Sequence, residues 1–355
     1  MADTISAEKI AAPGELLWGK DYLRLRQCRH GLMLYNGNDQ FQGRMLDKYG
    51  EYSEGEVDTF GQLLKPGMTA VEVGANIGSH TVAIANMVGR QGRIVAFEPQ
   101  RAIFQIMCAN LGLNGLEQVE PHWAAVGEAP GEVTIERLDM RAVQNFGGYS
   151  IKPGAQGDKV RLMTVDSLGL TACHMIKIDV EGMEAAVIRG ARETILRCGP
   201  MIFAENEETK TSRELIELLW GLDYDCYWHV TPYVRVPNFR GDSERIHATM
   251  VSTNMVCVPR KANAQITGLH KVWRSDQDRQ RLWVDGALNF HSPVPLLSTD
   301  VAALYDSAVK LEGLKFLESA RDYCNRILEL QPGNSQALAK REEVLKKIAT
   351  GASAG

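Results

Sequence analysis

Residues Val71–His80 read VEVGANIGSH, and the spacing of small residues in that stretch decides how the rest of the chain is read. A β-branched strand that runs into a glycine-bearing turn and opens a helix aims backbone N–H groups at a ligand, because the first four helical donors lack intrahelical partners. A dinucleotide site asks for glycine at three positions, G-x-G-x-x-G, so that the backbone can approach a pyrophosphate. Here those positions are Gly74, Asn76 and Ser79, and two of the three fail. Gly74 and Gly78 instead bracket Asn76, and Glu72 stands on the strand just before them. A carboxylate there repels a pyrophosphate and attracts an ammonium.

A second carboxylate, Glu98, ends the next strand, 20 residues after Gly78. An acidic residue at that place in a doubly wound sheet accepts ribose hydroxyls. Each glutamate alone reads as a solvated strand end; together with the loop they address two ends of one ligand. S-adenosylmethionine, a nucleoside with an amino acid ammonium and no phosphate, fits both. Nicotinamide-dependent oxidoreduction is disfavoured by Asn76 and Ser79.

Working outward, short apolar strands alternate with helical patterns from Lys65 onward, which is how a parallel sheet flanked by helices reads. Strands are expected at 69–73, 93–97, 119–126, 132–136, 160–165, 174–179 and 201–204, with 223–230 and 253–258 closing the sheet as an antiparallel pair. Helices are expected from Ser79, from Pro99 to the glycines 112 and 115, over 181–197 and over 212–222. Residues 1–55 form a lead segment, 56–260 the catalytic domain and 261–300 a linker or covering segment. Residues 301–350 form helices in which Leu304, Ala308, Leu311, Ala320, Cys324, Ile327 and Pro332 fall at tetratricopeptide-like spacing. The pattern reads as one repeat plus a following helix over Ser335–Ile348; one repeat does not bury its own face, so the tail is expected to pack on the catalytic domain, a second subunit or a protein partner, the plainer reading being a helical hairpin with no partner.

The chain has 355 residues, 45% of them apolar, enough for a full core, and a net charge of -5. With a pI near 6.0, it lacks the basic field of a nucleic-acid binder, and no nucleic acid is expected as partner. The seven cysteines, at 28, 108, 173, 198, 226, 257 and 324, form no close pair, so neither a disulfide framework nor a zinc site is suggested. The first 19 residues lack the basic flank and apolar run of a signal peptide, and no stretch approaches the roughly 18 apolar residues of a membrane span. A cytoplasmic protein without a membrane partner is expected.

Three stretches, VEVGANIGSHTVAIA, FEPQRAIFQIMCANLGLN and MIKIDVEGMEAAVIRGA, resemble the FkbM family of methyltransferases over about residues 45–258. In the third, Lys177, Asp179, Glu181, Gly182 and Glu184 all match. The resemblance implies a class I methyltransferase fold: a Rossmann-like α/β sheet with helices on both faces, here followed by the small helical tail. It also implies S-adenosylmethionine as donor and a hydroxyl acceptor, often on a sugar, glycan or natural product. Carried over, Glu72, Gly74, Ala75, Asn76 and Gly78 line the amino acid end of the cofactor, Glu98 the ribose, and Ala125 the adenine.

Methyl transfer to an alcohol mainly requires in-line positioning and removal of a poorly acidic proton. Lys177 and Asp179 share one face of their strand, Glu181 follows at its tip, and Glu205 ends the neighbouring strand. These four are the catalytic candidates. One carboxylate serves as general base, or several hold Mg²⁺ or Ca²⁺ through oxygen; no metal ligand is assigned. The plainer reading has Asp179 capping the next helix, Glu181 complementing its dipole and Lys177 neutralising its acidic neighbours. His80, His229 and His247 are further base candidates, and Gln144–Ser150, with its NFGGYS core, has glycines suited to a mobile cover over the acceptor. The expected function is O-methylation of a small or saccharide-like hydroxyl acceptor. The alternative is a catalytically silent methyltransferase-like protein that recruits a partner through its tail.

Overall fold

The computed structural model describes residues 15–149, 156–206, 209–235, 237–244, 246, 250–264, 266, 269–272, 300–313 and 317–350. The chain opens with β1 (Leu16–Lys20), β2 (Leu23–Cys28) and β3 (Gly31–Asn36), an antiparallel sheet, then α1 (Gln42–Tyr49) and α2 (Glu54–Leu63). There follow β4 (Thr69–Val73), α3 (Ser79–Val88), β5 (Arg93–Phe97), α4 (Arg101–Leu113), β6 (Val119–His122), β7 (Ala124–Val126), β8 (Gly131–Glu136), β9 (Gly157–Met163) and β10 (Met175–Ile178). Next come α5 (Glu184–Gly190), α6 (Arg192–Cys198), β11 (Met201–Glu205), α7 (Thr209–Gly221), β12 (Tyr224–Pro232), β13 (Val251–Pro259) and β14 (His270–Lys271). Three helices end the chain: α8 (Val301–Gly313), α9 (Leu317–Leu330) and α10 (Ser335–Ala349).

Eight strands form the main sheet in the order β14-β12-β13-β11-β10-β4-β5-β6. From β6 to β11 neighbours run parallel, and β13 lies antiparallel between β11 and β12. The fold is the expected class I, Rossmann-like one. Alternation along each strand feeds two cores. Val71, Val73, Ile176, Ile178, Ile202 and Ala204 pack beneath α5, α6 and α7, whereas Ala70, Ile94, Ala96, Met175 and Phe203 meet α2, α3 and α4 on the other face. After β4 the chain builds outward through β5 and β6, then returns to add β10 and β11 on the opposite side. The strand order therefore reverses at β4, and a crevice opens beyond the carboxyl ends of β4 and β10, where ligands of such sheets bind.

The N-terminal sheet shares the second core through Cys28, Met33 and Tyr35. Its edge strand β3 is stapled by two asparagines, Asn110 of α4 and Asn114, which caps that helix. Asn114 accepts from the Leu32 N–H at 2.8 Å and donates to the Leu32 carbonyl at 2.8 Å. Asn110 accepts from the Leu34 N–H at 2.6 Å, and its amide donates to the carbonyls of Leu34 at 2.9 Å and Ile77 at 2.8 Å. Side-chain amides thus complete the ladder of a strand edge.

Several elements differ from the sequence reading. The expected helix 181–197 is two helices parted at Ala191, and the first begins only at Glu184 because Glu181 (φ 51°) and Gly182 (φ 95°) first turn the backbone left-handed. No side chain caps α5; Asp179 turns to Lys177 instead, and the capping reading falls. Residues 119–126 split into β6, which joins the main sheet, and β7, which pairs with β9 in a small sheet ordered β7-β9-β8. Pro99 precedes α4 by two residues, outside the first helical position.

In the tail, α8, α9 and α10 bury Leu304, Ala308, Ala320, Cys324, Ile327 and Val344 among themselves, and α10 is the helix expected to follow the repeat. Leu311 has no described side chain, and residues 273–299 of the expected linker lie outside the described residues. Among the described residues no helix is long and apolar enough to cross a membrane.

Candidate active site

A cavity of about 310 Å³ occupies the crevice. Of the residues singled out in the sequence, Glu72, Gly74, Ala75, Asn76, Glu98, Ala125, Lys177, Asp179, Glu181 and Glu205 all line it. Gly78 does not; it precedes α3 with φ 83° and closes the turn beneath the wall. Gly74 is the tightest requirement. Its φ of 84° favours glycine, and a Cβ there would overlap the Asp179 carbonyl oxygen, so the glycine lets the β4 turn lie directly against the β10 turn.

Parallel register sets Lys177 on β10 opposite Glu72 on β4. Both are buried, at 2% and 1% exposure, whereas the Asp179 side chain is 39% exposed and reaches the cavity. The Lys177 ammonium lies 3.1 Å from Asp179 Oδ2 and 3.7 Å from Glu72 Oε1. Burial pulls the Lys177 pKa down, but Asp179, Glu72 and Glu56 outweigh it and hold the ammonium above the ordinary lysine value. Glu72 Oε2 accepts from the Thr81 hydroxyl at 2.7 Å, while Oε1 has no hydrogen-bond partner. Burial pushes the Glu72 carboxyl above its usual range against the pull of Lys177 and Thr81.

Glu98 behaves differently. Its two oxygens accept the backbone N–H groups of Asn76 at 3.0 Å and Gln100 at 2.7 Å. Burial nevertheless pushes its carboxyl up to about 7 against those two bonds, with Asp179 adding to the rise. Ala125 and the neighbouring Val126 form the far wall with Thr134 and Ile135 of β8, a strand the sequence reading did not connect with the site.

Residues 145–149 line the cavity, Gln144 does not, and Ser150 lies outside the described residues. Phe146 is buried. The Gln40 N–H donates to the Gln144 carbonyl at 3.0 Å, and the Asn36 side chain donates to the Met140 carbonyl at 2.8 Å. The N-terminal segment thereby fixes the approach to this loop. A Cβ on Gly147 would come within 2.9 Å of Asn76 Nδ2, so the loop's small residues seat it against the glycine turn.

Sequence reasoning missed a second group of lining residues: Tyr52, Glu56, Tyr233, Ser252 and Asn254. Glu56, buried on α2, accepts hydroxyl hydrogens from Ser53 at 2.7 Å and Ser252 at 2.6 Å on the same oxygen, and its other oxygen lies 4.0 Å from His80 Nδ1. Asn254 donates to Ser252 and pairs in register with Glu205 across β11 and β13. The rings of Tyr52 and Tyr233 stack with centroids 6.0 Å apart, and Tyr52 leans on His80 at 5.4 Å. Burial, then Tyr233, Glu56, Asp179 and Glu205, push the Tyr52 phenol well above its usual range, which keeps it a proton donor.

Of the histidines, His80 lines the cavity and burial, aided by Lys177, pulls it down to about 3, so it is neutral near pH 7. His229 is spent on Thr59, 2.7 Å from its Nε2. His247 lies outside the described residues. Among the described residues no group of three or more His, Cys, Asp or Glu side chains is arranged to hold a metal ion.

A glycine turn, a buried acid on the strand before it and a second acid ending the next strand meet at one crevice. Residues 72–226 match the family model described as the methyltransferase FkbM domain. The matched stretch starts at Glu72 and ends within β12. Among solved structures the chain is similar to a methyltransferase FkbM from Methylobacillus flagellatus KT, at 17% identity and TM-score 0.36, over 57% of this chain and 50% of that one. It is also similar to an O-methyltransferase from Bacillus cereus in complex with SAH, at 15% identity and TM-score 0.36, over 57% and 80% of the two chains. An rRNA methylase from Streptococcus thermophilus aligns at 13% identity and TM-score 0.35, over 57% and 93%. The chain thus spans half the length of the Methylobacillus protein. No curated protein matches it.

Proposed function

We propose that this chain is an S-adenosylmethionine-dependent O-methyltransferase acting on a hydroxyl of a small or saccharide-like acceptor. The observation that carries the reading is the pair Glu72 and Glu98 on adjacent strands of one cavity: the first keeps a buried oxygen without a hydrogen-bond partner, and the second lies beside the glycine turn. An ammonium supplies the missing donor at Glu72, and ribose hydroxyls can share the remaining lone pairs of Glu98. The match of residues 72–226 to a methyltransferase domain supports the same choice.

The cofactor supplies a methyl group on a positively charged sulfur, already a good electrophile. The residues that hold it would be Glu72, Ala75, Asn76 and Glu98, with Ala125 beside the base. Asp179 is then the residue for the proton: it borders the cavity on the acceptor side of Glu72 and is the more exposed carboxylate of the Lys177 pair. Lys177 holds that carboxylate in place. With the donor bound, the acceptor hydroxyl would take the methyl group and give up its proton to Asp179.

Calorimetric titration with S-adenosylhomocysteine tests the reading directly. Saturable one-to-one binding is expected; no binding by the folded protein refutes it.

A further inference from the structure

The cavity divides along the sheet. Glu98, Glu72 and the glycine turn stand at β5 and β4, while Asp179, Glu205, Ser252 and Asn254 stand at β10, β11 and β13. In this second half carboxylates converge from separate elements, Glu56 from α2, Asp179 from the β10 turn and Glu205 from β11. Among the described lining residues the one cation is Lys177, which Glu72 and Asp179 already share. Glu56 is 4% exposed; one oxygen accepts from the hydroxyls of Ser53 and Ser252, neutral His80 lies 4.0 Å from the other, and the Lys177 ammonium attracts it without an ion-pair contact. A buried carboxylate with no cation in direct contact gains from an incoming positive charge.

Two further observations favour a ligand rich in donors. Gln42 also lines the cavity, and its buried Oε1 accepts no hydrogen bond, the Gln42 amide being directed to the Ser79 hydroxyl at 2.6 Å. Three aromatic rings also line the cavity: Tyr52 and Tyr233 are stacked at an interplanar angle of 30°, and Phe41 stands edge-on to Tyr233 at 4.7 Å. Tyrosine faces attract cations, most strongly where water is excluded.

We propose that the acceptor carries a protonated amine beside the hydroxyl that takes the methyl group, making it an amino sugar or amino alcohol, with its ammonium seated at Glu56 and the Tyr52 and Tyr233 rings. This rests on the methyltransferase reading above. It also accounts for transfer to oxygen, because a protonated amine has no lone pair with which to attack the methyl carbon. Phosphorylated and carboxylated acceptors are excluded by the same carboxylates.

The test uses the full chain, methyl-labelled S-adenosylmethionine and the small molecules of a source-cell extract, separated at pH 7 into fractions held by a cation exchanger, held by an anion exchanger, or held by neither. Label is expected in the cation-exchange fraction, and selective N-acetylation of that fraction with acetic anhydride in bicarbonate should abolish it. With the labelled acceptor isolated, Glu56→Gln or Tyr233→Leu should raise its KM at least tenfold while S-adenosylhomocysteine affinity, which also reports folding, stays within twofold of wild type. Label confined to the neutral or anionic fraction, label that survives acetylation, or no label from a protein that binds S-adenosylhomocysteine overturns the proposal. A wild-type protein that binds no S-adenosylhomocysteine refutes the methyltransferase reading instead.

Discussion

Lys177 and Glu72 face each other across adjacent parallel strands, each almost wholly buried, with 3.7 Å between Nζ and Oε1. Neither tolerates loss of the other, because a buried charge without its partner is far costlier than the pair is favourable. Lys177→Met should therefore destabilise the fold by about 3–5 kcal/mol. Urea unfolding should show a lower midpoint with an unchanged slope, and adding Glu72→Met should restore much of the loss.

Glu98 links the site to pH. Its carboxyl sits near 7 in the folded protein, above the usual carboxylate range, so the folded state holds this proton where the unfolded chain has lost it. Its ionisation therefore weakens the fold as pH rises from about 4.5 toward and through 7, whereas the charged form is the better acceptor for ribose hydroxyls. Affinity for S-adenosylhomocysteine should be about tenfold lower at pH 6 than at pH 8, following the ionised fraction. Calorimetry at the two pH values checks this, and Glu98→Gln should flatten the profile at weak affinity.

Asp179→Asn keeps the shape of the side chain and removes its ability to take a proton. Turnover should fall by about 10²–10⁴, with the S-adenosylhomocysteine dissociation constant shifted less than threefold. Single-turnover kinetics beside calorimetry separate the two; equal losses would make Asp179 a cofactor ligand instead.

Asn110 serves two backbone segments that the sequence sets far apart, Leu34 in the N-terminal sheet and Ile77 in the glycine turn. Asn110→Ala strands buried backbone groups, each worth about 1–3 kcal/mol. Both thermal stability and cofactor affinity should fall. Asn114→Ala, which touches Leu32 and not the turn, should lower stability alone.

The glycine turn was readable from sequence because its demands are local: Gly74 must pass under the Asp179 carbonyl, and no other residue type meets that requirement without strain. Glu98 and the β10 run followed for the same reason, each marked by a strand end. Glu56 was invisible because Ser53-x-x-Glu56 has the spacing of a helix-capping box, and only the pairing of β13 with β11 brings Ser252 to it. Tyr52 and Tyr233 are ordinary aromatic residues until the fold stacks them. The helix after β10 was misjudged because residue type does not announce the left-handed backbone of Glu181. Asp39 and Gln144, which tie the N-terminal segment to the loop by an isolated bridge, carry no motif at all.

The hydrogen bond between Glu56 and Ser252 joins positions 196 apart in sequence. A ribosome delivering this chain releases the glycine turn, Glu72 and Glu98 long before β13 exists. The donor half of the crevice can condense early on the nascent polypeptide, while the acceptor half stays unbuilt until β13 threads in between β11 and β12. A truncated translation product would thus retain the cofactor-facing half and lack the floor on which an acceptor is held.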